Sequence, residues 1–177
     1  EFSNNKARLN SEYFGKGATG GGDNQTVIGA GASIGSTTSG ANSTVIGAGA
    51  YASSQSSVAI GHNASTIQYG VAIGRNATTS GSSSVVIGYG ANASNQTSTV
   101  IGAGASSGAF SDTVVLGTGA TATAQGQFVV GSSTYPINNI YFGKGVSSSA
   151  PTNYTINGTR GTGTDINGGS LVLAAGI

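Results

Sequence analysis

The stretch Ser57-Val58-Ala59-Ile60-Gly61-His62-Asn63-Ala64 carries a motif that the chain repeats at short intervals. Two or three β-branched residues precede a glycine, and an alanine follows three positions after that glycine. The next copy reads Gly70-Val71-Ala72-Ile73-Gly74-Arg75-Asn76-Ala77, with glycine at its first position. Short runs of valine and isoleucine between glycine, asparagine and serine are typical of β-strands. Their repetition predicts a solenoid of stacked coils.

The motif occurs eight times, and its spacing sets the length of one coil. The motif glycines are Gly29, Gly47, Gly61, Gly74, Gly88, Gly102, Gly117 and Gly131, separated by 18, 14, 13, 14, 14, 15 and 14 residues. Thr134 replaces the usual alanine after the last of them. About fourteen residues accommodate two short strands and two turns. The sequence therefore predicts an all-β parallel solenoid over residues 23–134, in which the 18-residue interval needs either a loop near residues 36–40 or an irregular coil.

Each motif strand is apolar on both of its faces. Because side chains alternate along a strand, Val58 and Ile60 share one face and Ala59 points to the other. A coil this thin buries one apolar row, so the second row requires another chain to cover it. We therefore predict an obligate oligomer. We assign to the packing between subunits the residues two positions before each glycine: Val27, Val45, Ala59, Ala72, Val86, Val100, Val115 and Val129.

The two stretches quoted first resemble the head repeat of trimeric autotransporter adhesins, the YadA-like head. This resemblance covers roughly residues 23–134. It implies a homotrimer of left-handed parallel β-rolls on a bacterial surface, where the roll serves adhesion. Similar rolls occur in bacteriophage tail fibres, so the resemblance leaves both a cell-surface and a virion location open.

Composition argues against several other classes of protein. The 177 residues include 32 glycines and no cysteine, and 6% of them are charged. Six Lys and Arg residues face five Asp and Glu residues, so no excess of positive charge is present for a nucleic-acid backbone. Without cysteine there is neither a disulfide nor a thiolate metal site. No apolar run reaches the length of a membrane span.

The sequence offers little for catalysis. His62 is the single histidine, and no Gly-x-Ser-x-Gly nucleophile motif accompanies it. The five acidic residues are dispersed along the chain: Glu1, Glu12, Asp23, Asp112 and Asp165. We therefore predict a protein that is not an enzyme and that has no catalytic residue, no cofactor and no metal site.

His62, Arg75 and Tyr89 take the same place, one residue after the glycine, in three successive motifs. In a stacked roll they form a row along one line of turns. One interpretation is a contact site for a host receptor or a glycan. The alternative interpretation is a row of solvated turns without a partner.

The flanks fall outside the strict repeat. We predict an N-terminal arm or docking segment over residues 1–22 and a C-terminal β-rich boundary module over residues 135–177. The pentapeptide Tyr13-Phe14-Gly15-Lys16-Gly17 recurs as Tyr141-Phe142-Gly143-Lys144-Gly145. Because Gly15 lies 14 residues before Gly29, an alternative is that the first pentapeptide forms a boundary coil.

The C-terminal stretch is an apolar strand candidate around Leu171, Val172 and Leu173, which could pair with a neighbouring subunit. Three functional hypotheses follow. The first is a structural and adhesive segment of an extracellular trimeric surface fibre. The others are a self-assembling filament of head-to-tail subunits and a segment of a bacteriophage tail fibre.

Overall fold

The computed structural model describes residues 10–35 and 42–138, and within these ranges the chain forms fourteen short strands and no helix. In chain order the strands are β1 (Glu12–Phe14), β2 (Thr26–Ile28), β3 (Ser33–Ile34), β4 (Thr44–Ile46), β5 (Tyr51–Ala52), β6 (Val58–Ile60), β7 (Ser65–Thr66), β8 (Val71–Ile73), β9 (Thr78–Thr79), β10 (Val85–Ile87), β11 (Asn92–Ala93), β12 (Thr99–Ile101), β13 (Val114–Leu116) and β14 (Phe128–Val130). Nine of them form one sheet in the order β1-β2-β4-β6-β8-β10-β12-β13-β14. The other five form a second sheet in the order β3-β5-β7-β9-β11.

Every strand pair is parallel, and equivalent residues of successive coils lie side by side. Ile73, for example, pairs with Ile60 on one side and with Ile87 on the other. Single bridges extend the five-stranded sheet, including one between Ser106 and Thr121. The prediction of an all-β parallel solenoid with coils of about fourteen residues is confirmed. At about 4.8 Å per coil, the nine strands of the larger sheet span about 38 Å.

The roll begins one coil before the first motif strand. Glu12–Phe14 pairs in register with Thr26–Ile28, Tyr13 packs against the core, and Ala18 is buried. Tyr13 thus fills the interior position of the strand, and Ala18 supplies the alanine that follows each motif glycine. Residues 12–22 therefore belong to the roll and do not form the predicted arm, which agrees with the alternative of a boundary coil.

The motif glycines allow successive coils to stack closely. Gly74 has a φ of 132°, and a Cβ at this position would lie 2.5 Å from the carbonyl oxygen of Gly88 in the next coil. A side chain at Gly74 would therefore strike backbone. Two residues later the chain needs a second positive φ, and here Asn76 has a φ of 57°. Asparagine tolerates this left-handed conformation better than most residues. This explains why the position is occupied by either asparagine or glycine.

The core lies between the two sheets of a single chain, and it corrects one prediction. Val27, Val45, Ala59, Ala72, Val86, Val100 and Val115 are fully buried within their own chain, and Val129 is partly buried against the same core. The assignment of these residues to packing between subunits is wrong. They face small buried residues of the opposite wall such as Ala52 and Ala93, so the thin coil encloses this row completely.

Buried hydroxyl groups line one corner of most coils and form hydrogen bonds with the backbone. The amide of Ser98 donates a hydrogen bond to Ser84 Oγ at 3.2 Å, and Ser84 Oγ donates to the carbonyl of Asn95 at 3.1 Å. Within the described ranges, no buried side-chain nitrogen or oxygen lacks a hydrogen-bond partner. Since an unpaired buried polar group costs about 1–3 kcal/mol, this pairing is what makes a serine-rich interior stable.

Gly70 stands where most other coils carry a buried serine, threonine or glutamine. A Cβ at Gly70 would lie 2.3 Å from Thr66 Oγ1 and 2.6 Å from Thr79 Oγ1. These two threonines are fully or almost fully buried, and their hydroxyl groups lie 2.8 Å apart. The missing side chain at Gly70 thus makes room for a threonine pair at positions where the neighbouring coils have alanine.

The regular coils end at β14. Gly131 pairs antiparallel with Pro136, and the amide of Ser132 donates to the carbonyl of Tyr135 at 3.0 Å. By its internal contacts the chain divides into residues 1–138 and 139–177. The second unit lies outside the described residues and contains the second pentapeptide, together with Leu171, Val172 and Leu173. The expected loop near residues 36–40 also lies outside them.

Candidate interaction surfaces

The outward side of the nine-stranded sheet carries two columns of side chains, which together we call the apolar face. The third strand residues form the first column: Phe14, Ile28, Ile46, Ile60, Ile73, Ile87, Ile101, Leu116 and Val130. The first strand residues form the second column: Glu12, Thr26, Thr44, Val58, Val71, Val85, Thr99, Val114 and Phe128. Ile28, Ile87 and Ile101 are 38%, 36% and 40% exposed. The first column is thus a continuous, partly exposed apolar stripe, and stripes of this length are typical of interaction sites.

The second surface, which we call the turn row, lies at the carboxyl ends of these strands. It consists of the residues that follow the first seven motif glycines and the equivalent Gly15: Lys16, Ala30, Ala48, His62, Arg75, Tyr89, Ala103 and Thr118. Backbone hydrogen bonds hold the row in register, since the amide of Asn76 donates to the carbonyl of His62 and the amide of Gly90 donates to that of Arg75, both at 2.9 Å.

The structure brings the three predicted contact residues together in this row. His62, Arg75 and Tyr89 are exposed in successive coils, and the guanidinium carbon of Arg75 lies 5.6 Å from the centre of the Tyr89 ring. This is a cation–π contact, which contributes about 0.5–1 kcal/mol at an exposed site. The pair presents a flat array of guanidinium donors on an aromatic ring, a chemistry that suits carboxylates, carbonyl groups and sugar hydroxyls.

A third surface lies at the opposite ends of the same strands, and the sequence reasoning missed it. These residues have φ between 54° and 59°, and we call them the positive-φ row: Asn10, Asn24, Asn42, Ser56, Tyr69, Ser83, Thr97 and Asp112. Each lies two residues before a strand of the nine-stranded sheet. Asn10 Nδ2 donates to Asn24 Oδ1, and Asn24 Nδ2 donates to Asn42 Oδ1, both at 3.2 Å. The signal for this row was the asparagine two residues before each of three strands.

Asp112 is the charged member of the positive-φ row. The hydroxyl of Thr97 donates to its Oδ1, and Gln125 Nε2 donates to its Oδ2 at 2.8 Å. These two hydrogen bonds, with that of Thr97 the stronger influence, hold the pKa of the Asp112 carboxyl below its usual value. The three side chains come from three successive coils, so the carboxylate links the coils along the outside of the roll.

The outward side of the five-stranded sheet differs sharply from the apolar face. Its first strand residues are Ser33, Tyr51, Ser65, Thr78 and Asn92, continued by the bridge residues Thr19, Ser106 and Thr121. These side chains are uncharged and, except for Tyr51, small. The two outward sides of the roll therefore have opposite character, one suited to water and the other to a covering partner.

The described residues offer no obvious reaction centre. Across residues 10–35 and 42–138, no group of three His, Asp or Glu side chains could hold a metal ion. No helix in this part of the chain is long and apolar enough to cross a membrane. A shallow cleft beside β14 is lined by Thr121, Val130, Ser132, Pro136 and their neighbours, and none of its lining side chains carries a carboxylate or an imidazole.

Comparison with known proteins agrees with this geometry. Residues 35–64, 68–91 and 80–105 match the YadA head domain repeat. The crystal structure of the collagen-binding domain of Yersinia adhesin YadA has a similar fold, with a TM-score of 0.55 and 22% sequence identity. The alignment covers 77% of this chain and 82% of that domain. No curated protein sequence matches the chain. Part of the chain is thus similar in sequence to the YadA head repeat, and its described residues have a fold similar to that of the YadA domain.

Proposed function

We propose that this chain is a non-enzymatic, adhesive segment of an extracellular surface fibre, in which three β-rolls associate and display their turns for attachment. The apolar face carries this proposal. Each chain already buries a complete valine and alanine row inside its own coils. The outward isoleucine column remains partly exposed after that core is filled, so it requires a cover that the described part of the chain does not provide.

Three copies of the chain supply that cover. The resemblance to trimeric autotransporter heads implies the number three, and a cyclic trimer directs all three apolar faces toward one axis. Burying the exposed part of one isoleucine contributes about 1–2 kcal/mol at about 25 cal/mol per Å². Because the column repeats in every coil, this contribution is multiplied along the roll. Association through the face is therefore strong enough to hold the three chains together.

Attachment is assigned to the turn row. His62, Arg75 and Tyr89 form its most polar and aromatic part, and they project from consecutive coils. The similar Yersinia domain is a collagen-binding domain. For this chain we propose a matrix protein or glycan of a host surface as the target. The roll itself acts as a stiff rod that holds the turns away from the cell.

Binding to immobilised host matrix proteins, with collagen as the first probe, tests this assignment. We expect the wild-type chain to bind, and Arg75→Ala and Tyr89→Ala to weaken binding at least tenfold without changing the number of associated chains. Thr78→Ala, on the outward side of the five-stranded sheet, is the matched control and should bind normally. Normal binding by both turn variants would remove the turn row from the contact site.

A filament of head-to-tail subunits is the second candidate. The nine-stranded sheet ends at β14, and a sheet edge is where a strand from another subunit can be added. The C-terminal residues Leu171, Val172 and Leu173 would supply that strand from a neighbouring subunit. Deleting residues 170–177 should then abolish long threads in electron micrographs. Short rods from both the full chain and the deletion variant would rule the filament out.

A further inference from the structure

The positive-φ row and the turn row flank the apolar face, and their members correspond coil by coil. In each of the first eight coils the turn-row residue lies six positions after the positive-φ residue. The eight pairs are Asn10 and Lys16, Asn24 and Ala30, Asn42 and Ala48, Ser56 and His62, Tyr69 and Arg75, Ser83 and Tyr89, Thr97 and Ala103, and Asp112 and Thr118. One row therefore marks where each of the first eight strands of the nine-stranded sheet begins, and the other marks where each of them ends.

Within one chain the two members of a pair lie at opposite edges of the sheet. The strand Val85–Ile87 and its two flanking residues span about 13 Å at about 3.3 Å per residue, so Ser83 and Tyr89 of the same chain lie too far apart to touch. A cyclic trimer changes this relationship. Where three identical strands run around a common axis, the start of each strand meets the end of the next copy's strand at the same level.

We infer that the positive-φ row of one copy packs beside the turn row of the next copy, so that each corner of the trimer is a composite surface. This inference rests on the trimer proposed above and specifies how its copies meet. The apolar face then lies at the axis, and the two rows close it from water at three identical corners. The proposed receptor contact contains residues from two chains.

The sizes of the paired side chains support this arrangement. The large turn residues His62 and Tyr89 are matched by Ser56 and Ser83, the smallest residues of the positive-φ row. In other coils the turn residue is alanine, and the partner is larger: Ala30 faces Asn24, Ala48 faces Asn42, and Ala103 faces Thr97. Five of the eight levels therefore combine a larger side chain with a small one, which is how two surfaces interlock at close distance.

Two of the remaining three levels pair groups that attract each other. Tyr69, half-exposed in one copy, faces Arg75 of the next copy, whose guanidinium already lies over Tyr89 of its own chain. The arginine thus gains a second aromatic ring. At another level the carboxylate of Asp112 faces the hydroxyl of Thr118, which can donate a hydrogen bond to it. A composite site of two tyrosines and an arginine at each corner follows from this pairing.

Disulfide trapping tests the pairing directly, because the chain contains no cysteine. We expect the double variant S83C/Y89C, oxidised as the purified full chain, to give covalent dimers and trimers in a denaturing gel without reductant. A disulfide needs Cα atoms about 4.4–6.8 Å apart, so these two positions cannot join within one chain. The single variants S83C and Y89C serve as controls and should stay monomeric in the gel.

A second double variant tests whether the paired residues lie at the same height along the trimer axis. S56C/Y89C places the two thiols two coils apart, about 9.6 Å along the axis, and should not cross-link. If sedimentation shows a trimer but S83C/Y89C gives no covalent species, the corner pairing is wrong and the trimer stands. If the wild-type chain sediments as a monomer, the proposed trimer fails, and the pairing fails with it.

Discussion

Val86 and Ile87 are neighbours in β10, yet Val86 is fully buried within its own chain and Ile87 is 36% exposed. The same strand therefore contributes to the interior core and to an outward surface. Val86 packs between the two sheets of one coil, and Ile87 belongs to the outward apolar face. Because both side chains are apolar, this division of roles depends on which direction the strand faces and not on residue type.

The interior row sets the stability of the individual roll. Val100→Ala should lower the free energy of unfolding by about 2 kcal/mol, because it removes two buried methyl groups and leaves a cavity between the sheets. Thermal unfolding followed by circular dichroism measures the effect. Ser65→Ala, on the outward side of the five-stranded sheet, should change the free energy by less than about 0.5 kcal/mol. Equal losses for both variants would contradict the buried position of Val100.

The two glycines of one turn should respond differently to asparagine. Gly102→Asn should destabilise the roll by more than about 3 kcal/mol, since a Cβ there would lie 2.4 Å from the carbonyl oxygen of Gly117. Gly104→Asn should cost less than about 1 kcal/mol, because no atom lies within 4 Å and Asn76 adopts the same positive φ in its own coil. Denaturant unfolding compares them, and a milder effect at Gly102 than at Gly104 would oppose the close stacking of the coils.

The effects of substitutions at Gly70 and Thr66 on the free energy of unfolding should be coupled. Gly70→Ser should destabilise the roll by about 1–3 kcal/mol, because the new side chain meets the stiff Thr66 side chain. Thr66→Ala removes that obstacle, so the double variant should recover part of the loss. A double-mutant cycle of unfolding free energies checks this coupling. Simple additivity of the two single effects would show that Gly70 does not make room for the threonine pair.

Acid should weaken the last coils through Asp112. Its pKa is lowered in the folded chain by the hydrogen bonds from Thr97 and Gln125, so its ionised form stabilises the fold above the ordinary carboxyl value of 3.8. That stabilisation is lost as the pH falls below 3.8 through the lowered pKa. Asp112→Asn should therefore unfold with less dependence on pH in this range. Identical acid unfolding curves for the two proteins would remove Asp112 from this role.

The solenoid could be predicted from the sequence because its coils depend on local backbone requirements that recur at a fixed spacing. A glycine with a φ above 130° is needed where successive coils touch backbone to backbone, so Gly61 and Gly74 mark the period without help from tertiary contacts. The alternation of side chains along each strand likewise showed that both strand faces are apolar. Fold class and coil length followed from these two features.

The alternation of side chains along a strand could not show which of the two apolar rows lies in the interior of the coil. Val86 and Ile87 have similar hydrophobicity, and the choice between them depends on the direction in which the chain turns after Gly88. The small residues of the opposite wall, such as Ala93, were the signal that a valine or alanine row fits the interior. The positive-φ row was missed for a related reason. Serine, tyrosine and threonine occupy it beside asparagine, so composition alone does not reveal a shared backbone conformation.

In the proposed trimer the apolar face, and not the interior valine row, joins the three copies of the chain. Sedimentation equilibrium of the wild-type chain and of the double variant Ile73→Asn and Ile87→Asn tests it, with Ser106→Asn on the opposite outward side as the control. One chain has a mass of 17.0 kDa, so we predict three times this value, about 51 kDa, for the wild type and the control. The double variant should dissociate to 17.0 kDa. A wild-type chain that sediments at 17.0 kDa, or a double variant that stays trimeric, would contradict this role of the apolar face.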